Sequence, residues 1–310
     1  MVGVVGSSPI VPTKLRKPVI LTGFFYASKK TGGIVKTTVW PLGGLQLHGF
    51  AQGEGAPLLL IHGSLCDCRY WSAQLPALAE SFRVLAPSLR GYYPNTPTHD
   101  LAAHFSTELH VADLIELIEE NGEPMHLLGH SRGGNIALRI AAQRPDLVRS
   151  LILADPGGDY EDVLFTQAGL SAPESADARN DFRRQALALI QAGDVEAGLA
   201  LFIDTVSGVG IWQRSSARFR QMALDNAHTL LAQVADLPAP IDRACLAQVC
   251  CPALLLGGER SPEPFPNVLT MLAYWLPHTE QHRFPGVSHG MNLQRPALFN
   301  RLVTEFARQY

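Results

Sequence analysis

The run from Met125 to Gly134, Met-His-Leu-Leu-Gly-His-Ser-Arg-Gly-Gly, leaves a chain few folds to choose from. A short apolar stretch ends in Gly129-His130-Ser131-Arg132-Gly133, and small or helix-favouring residues follow at once. This order calls for a strand, a sharp turn and a helix, with Ser131 at the apex. Glycines on both sides allow a strained elbow that lifts the hydroxyl out of the sheet. The helix beginning there aims its unpaired N–H groups at whatever the serine attacks.

A second match to the same pattern, Gly286-Val287-Ser288-His289-Gly290, lacks that context. Met291-Asn292-Leu293 and then Arg295-Pro296 follow it, so no small-residue helix begins at the turn. Ser288 also has no histidine downstream beyond its immediate neighbour. Only Ser131 reads as a nucleophile.

The rest of the chain has the rhythm of strand–helix–strand units. Thr37–Trp40 and Leu45–Phe50 read as an opening hairpin. Leu58–Ile61, Arg83–Pro87, Met125–Leu128, Val148–Ala154, Ala253–Leu256 and Gln281–Phe284 read as strands. Helical spacing appears over Arg69–Phe82, Leu109–Glu120, Gly133–Gln143, Asn267–Leu276 and Ala297–Gln309. The continuous apolar run Leu58-Leu59-Leu60-Ile61 suits a strand covered on both faces. The fold class expected is therefore α/β, a mostly parallel, doubly wound sheet.

From Asp159 to about Pro238 the rhythm breaks, and only helical patterns remain: Phe182–Ala192, Val195–Thr205 and Ser216–Val234. Residues 35–158 and 239–310 then form the core, with 159–238 a helical cap above the strand ends. Phe165, Phe202 and Trp212 in that cap suit either its own core or a pocket wall.

Composition narrows the function. With 46% hydrophobic and 17% charged residues, a chain of 310 supports a sizeable core rather than disorder. A net charge of -3, a pI of about 6.4 and no dense basic stripe speak against nucleic acid or anionic membranes as partners. No apolar run approaches the roughly 18–20 residues of a membrane span. The five cysteines (Cys66, Cys68, Cys245, Cys250, Cys251) are odd in number and lack C-x-x-C spacing. They read as small buried residues, not as a disulfide framework or metal site, and free thiols suit a cytoplasmic location.

Residues 1–34 stand apart. No acidic residue occurs between Met1 and Gly53, while Lys14, Arg16, Lys17, Lys29, Lys30 and Lys36 are all basic. Pro18–Ala27 has the apolar character of a signal h-region but starts too late and lacks a clean cleavage site. Gly6-Ser7-Ser8-Pro9 is what the bases GGTTCGAGTCC spell, which resemble the T-arm of a transfer RNA gene. The expectation is an N-terminal extension that is not native coding sequence, with the true start near Val35.

A serine hydroxyl needs a base to remove its proton and a third group to orient that base. His289 lies in the glycine-rich loop after the last strand, on the same sheet edge as Ser131, and is the candidate base. From Thr37 to Tyr310 the chain resembles an α/β-hydrolase with a helical cap, its motifs in family order. Leu60-Ile61-His62-Gly63-Ser64 resembles the family's His-Gly oxyanion loop. The resemblance implies an oxyanion hole from the backbone N–H groups of Ser64 and Arg132, each donor worth about 2.7–4 kcal/mol in the transition state. It casts His62 as a prop for that loop.

Where the family usually carries its aspartate after strand seven, this chain has Ser261, which cannot supply a charge. Some members carry the acid after strand six, where Asp155 stands. Asp155 is the favoured acid, Glu259 the alternative and Glu263 a distant third. Trp71, Tyr92, Tyr93 and Trp212 are candidate substrate contacts. Arg132 has two uses open to its side chain, a substrate carboxylate or a protein acid.

A serine nucleophile excludes the aspartate-dependent dehalogenase and epoxide hydrolase chemistries of this fold. What remains is hydrolysis of a small to medium carboxylic ester or lactone through an acyl-serine, with no metal or organic cofactor. A C–C bond hydrolase of ring-cleavage products is one alternative, and a non-catalytic ligand-binding homologue is another. The partner expected is a small-molecule substrate, with homo-oligomerisation left open.

Overall fold

The computed structural model describes residues 36–95, 101 and 104–310. The extension expected over residues 1–34 lies outside the described residues. Eight strands form one sheet: β1 (Lys36–Leu42), β2 (Leu45–Gln52), β3 (Pro57–Ile61), β4 (Arg83–Pro87), β5 (Met125–His130), β6 (Val148–Ala154), β7 (Ala253–Gly258) and β8 (Thr279–Phe284). Their spatial order is β1-β2-β4-β3-β5-β6-β7-β8. The β1–β2 hairpin is antiparallel and joins β4 antiparallel, while β4, β3 and β5 to β8 run parallel.

Successive side chains of a strand point to opposite faces, and both faces are covered. Leu59, Ile61, Leu127, Leu151 and Leu255 join one core, under the helices Thr107–Asn121, Arg132–Gln143 and Phe265–Trp275. Leu58, Leu60, Leu128, Ile152 and Leu254 join the other, under Leu75–Leu78 and Pro296–Ala307. Burying each such leucine stabilises by about 1.5–3 kcal/mol. Double coverage is why these strands read as unbroken apolar runs.

Between β6 and β7 lie seven helices among the described residues, of which Asp162–Gln167 and Arg243–Ala247 come first and last; the five between them are Ala176–Gln191, Val195–Ser207, Ile211–Arg214, Ala217–Asp225 and Thr229–Ala235. They enclose a third core of Leu199, Phe202, Ile203, Trp212, Ala223 and Leu230, into which Leu65 projects from the loop after β3.

Two segments expected as single helices are broken. Arg69–Phe82 divides into a 3₁₀ turn, Cys68–Trp71, and a short helix, Leu75–Leu78. Ser216–Val234 divides at Asn226, whose side chain bonds Asp67 at 2.8 Å and the Met222 carbonyl at 2.9 Å. Helical spacing persists through both breaks because the same face stays buried, so periodicity alone does not show them.

No helix among the described residues is long and apolar enough to cross a membrane.

Candidate active site

Parallel strands bring their carboxyl ends to one edge, and the residues just past β3, β5, β6, β7 and β8 gather there. Register sets their spacing. His130 pairs with Ala154, which puts Ser131 beside Asp155, and the Ser131 N–H donates to the Ala154 carbonyl at 3.0 Å. Ser131 has φ 54° and caps the helix Arg132–Gln143. This left-handed backbone is strained by about 1–3 kcal/mol for a residue with a side chain. Tight packing holds it, since a Cβ on Gly129 would strike the Gly133 carbonyl, and one on Gly133 would strike the Ile61 carbonyl. Asp155 also adopts a positive φ, 40°.

His289 reaches this edge from the loop after β8. Its Nδ1 lies 3.2 Å from Asp155 Oδ2. The Phe265 ring stacks on the imidazole at 4.1 Å between centroids, and His130 packs beside it at 4.5 Å. His289 is 4% exposed and Asp155 is fully buried. Burial drives the imidazole down to about 3, so at neutral pH it is a free base. Burial pushes the Asp155 carboxyl up to about 7, opposed chiefly by the Ser261 hydroxyl. That hydroxyl donates to Oδ2 at 2.5 Å, the oxygen that also faces His289.

Ser261 therefore stands against the acid, although residues 155 and 261 are far apart in the chain. No local pattern signals this contact; only the adjacency of β6 and β7 creates it. Glu259, by contrast, points away: it is exposed, and its Oε2 accepts from the Gly286 N–H at 2.7 Å. Glu263 is exposed as well.

His62 is held at both nitrogens. Nε2 accepts from the Leu89 N–H at 3.0 Å, so Nδ1 carries the proton and donates to the Gly63 carbonyl at 2.9 Å. Burial lowers its pKa to about 4, which keeps this neutral tautomer. The loop Gly63-Ser64 is thereby pinned beside Ser131. Arg132 opens its helix, so its N–H has no intrahelical acceptor.

A cavity of about 430 Å³ opens over Ser131 and His289, bounded by Ser64, Tyr70, His130 and, from the helices between β6 and β7, Phe202, Ile203, Val206, Ile211 and Phe219. Tyr70 donates its hydroxyl to Asn292 Oδ1 at 2.8 Å, and His130 Nε2 donates to the His289 carbonyl at 2.8 Å. These two side chains brace the wall on which His289 sits.

Residues 58–302 match the model of the alpha/beta hydrolase family. The chain belongs to that family. It is 27% identical over 282 residues to the 2-hydroxymuconate semialdehyde hydrolase of Pseudomonas sp. strain CF600, covering 85% of this chain and 90% of the relative. To the putative carbamate hydrolase RutD of Agrobacterium fabrum it is 28% identical over 277 residues, 84% of this chain and 96% of the relative. The crystal structure of naproxen esterase from Bacillus subtilis shares the fold at a TM-score of 0.68 and 18% identity, covering 88% of this chain and 91% of that one. The protein is a hydrolase of the α/β type; the bond it cleaves is a finer question.

Four candidate substrate contacts of this α/β hydrolase lie elsewhere than expected. Trp71 and Tyr92 are fully buried in the two cores flanking the sheet, and Trp212 is fully buried in the third core, among the helices between β6 and β7. Tyr93 is 45% exposed, with Arg69 over its ring. None of the four lines the cavity over Ser131. Large aromatics yield most by full burial, and the cores claimed them. Phe202 does reach the cavity wall, whereas Phe165 lies in the sheet core. The Arg132 side chain is committed to a protein acid, meeting Asp236 at 2.6 Å.

Proposed function

We propose that this protein is a serine hydrolase of small to medium carboxylic esters or lactones, acting through an acyl-serine. The observation that carries the reading is that the Ser131 elbow and the neutral His289 ring border one cavity, with Asp155 buried against the ring's Nδ1. Ser131 Oγ attacks the substrate carbonyl while His289 takes its proton. The carbonyl electron pair moves onto oxygen, which the Ser64 and Arg132 N–H groups receive. Collapse of this intermediate expels the alcohol, protonated by His289, and leaves the acyl-serine. Water, deprotonated by the same ring, then releases the acid and restores Ser131. Asp155 holds the Nδ1–H of the ring and balances the imidazolium that forms in each step. No step calls on a metal or organic cofactor.

The test is labelling with a fluorophosphonate, followed by an ester and lactone panel. Wild type labels and turns over; Ser131→Ala does neither. A wild type that fails to label sinks the hydrolase mechanism and favours a non-catalytic binding module.

Similarity to a semialdehyde hydrolase along most of the chain supports one second reading, C–C bond hydrolysis. A C–C hydrolase cleaves a vinylogous diketo acid far faster than simple esters, so that rate ratio separates the two.

A further inference from the structure

A second cavity, about 330 Å³, lies on the other side of Ser131 and shares Ser64, Ser131, Phe202 and Val206 with the first. The two differ in chemistry. Phe202, Ile203, Val206, Ile211, Phe219 and Leu293 make the first largely apolar. The second adds charged and amide groups to an apolar wall: three arginines, the carboxylates Asp159, Glu174, Asp236 and Glu263, and the amides of Asn135, Asn180 and Gln233.

Three guanidinium groups border the second cavity, and two of them are occupied. Arg132 is bound to Asp236 at 2.6 Å, and Arg179 to Asp159 at 2.7 Å. Arg183 has no carboxylate within ion-pair distance among the described residues. It donates to Asn180 Oδ1 and lies over the Phe182 ring, 4.8 Å from its centroid. Burial lowers its pKa to about 10, opposed by the nearby Asp159 carboxylate, which Arg179 already holds, and reinforced by the positive charges of Arg132 and Arg179. An unpaired cation in that setting gains from any anion that reaches it.

Asn135 supplies an independent sign. Its side chain is 96% removed from solvent at 4% exposure, and its Oδ1 accepts from Arg139 Nε at 2.9 Å. That bond turns Nδ2 the other way, where the Tyr160 hydroxyl is its neighbour but no acceptor among the described residues stands in full hydrogen-bonding geometry. A buried amide donor without a well-aligned partner is destabilising until an acceptor reaches it. Gly158 packs directly against this nitrogen, where a Cβ would collide with it, and both residues border the cavity. Glu174 and Glu263 also border the cavity, but both are exposed at its rim, where water screens them.

We infer that the Arg183–Asn135 lobe binds a carboxylate carried by the substrate, so that the natural ester or lactone has an acidic group on one side of the scissile carbonyl and an apolar group on the other. The inference rests on the Ser131 mechanism proposed above. A planar guanidinium suits two carboxylate oxygens, and an amide N–H beside it fixes their orientation.

The experiment uses the full chain and two matched series. One holds 4-nitrophenyl monoesters of succinate, glutarate and adipate, each compared with its methyl-capped neutral form. The other places the acid on the leaving group, as 4-carboxyphenyl butyrate against its methyl ester. In at least one series the free acid exceeds its capped form in kcat/KM by about tenfold or more. Arg183→Gln collapses that ratio towards one, and Arg183→Lys retains part of it. Thermal melting of each variant checks that it is folded. If wild type hydrolyses the neutral esters yet shows no preference for the acid in either series, the anion lobe is refuted while the serine mechanism stands. A preference that survives Arg183→Gln equally refutes it. Failure of every ester together with failure of fluorophosphonate labelling refutes the mechanism itself.

Discussion

Two buried carboxylates flank the elbow, and they are held in opposite ways. Asp236 is saturated: Oδ1 accepts from the Thr107 N–H at 3.1 Å, and Oδ2 accepts from the Thr107 hydroxyl at 2.8 Å and from Arg132 at 2.6 Å. Asp155 meets only uncharged partners at rest, the Ser261 hydroxyl and the neutral His289 ring. One carboxylate already has its cation. In the proposed mechanism the other receives one only when His289 takes the serine proton. An interaction that strengthens as the reaction proceeds lowers the barrier, whereas one that is complete beforehand serves the fold. On the proposed mechanism Asp155 belongs to the chemistry, and Asp236 ties the stretch after the helix Thr229–Ala235 to the elbow helix.

The comparison breaks most visibly at Asp155. Asp155→Asn keeps volume and the Ser261 contact but removes the charge, and kcat falls about 10³–10⁴-fold. Its melting temperature stays near wild type. Turnover within tenfold of wild type would remove Asp155 from the mechanism.

Asp236→Ala has the opposite signature. It strands the Arg132 guanidinium in a largely buried site, and the denaturation midpoint falls by the equivalent of about 3–5 kcal/mol. A change below roughly 1 kcal/mol would show that the pair is no tie.

Ser261→Ala sharpens the contrast through pH. The hydroxyl stabilises the ionised carboxylate, so its loss raises the Asp155 pKa. Activity that depends on the carboxylate is lost as pH falls through that pKa. The acidic limb of the kcat/KM profile therefore moves to higher pH, by roughly one unit. A limb that stays put, or moves down, contradicts this role.

The smallest effect belongs to Glu259→Gln. An exposed carboxylate bonded to one backbone N–H sits outside the pair, and kcat/KM changes by about twofold or less. A collapse of activity here would instead transfer the acid role to Glu259.

How much could be read before folding differs from residue to residue. Ser131 was legible because an elbow is a local device whose strand, glycines and helix lie within ten residues. His289 was legible through its place after the last strand. The broken helices were not, since Asn226 ends one by reaching Asp67, a residue far away in the chain. Arg183 and Arg184 make the same point at close range. Arg184 is satisfied on its own helix by Asp177 and Asp181, whereas the next-door guanidinium turns into the cavity without a carboxylate. Composition does not distinguish the two; only the face of the helix does.

Short-range patterns of apolar residues and glycines specify the strand–elbow–helix around Ser131 and the doubly wound α/β order without help from distant contacts. Tertiary structure alone decided that Ser261 donates to Asp155, that Trp71, Tyr92 and Trp212 go to cores, and that a cavity on each side of Ser131 has its own chemistry. Those outcomes depend on which strands become neighbours and which helix faces turn inward. Hydrogen bonds and charge pairs act over a few ångströms, and the fold sets those distances between residues far apart in the chain.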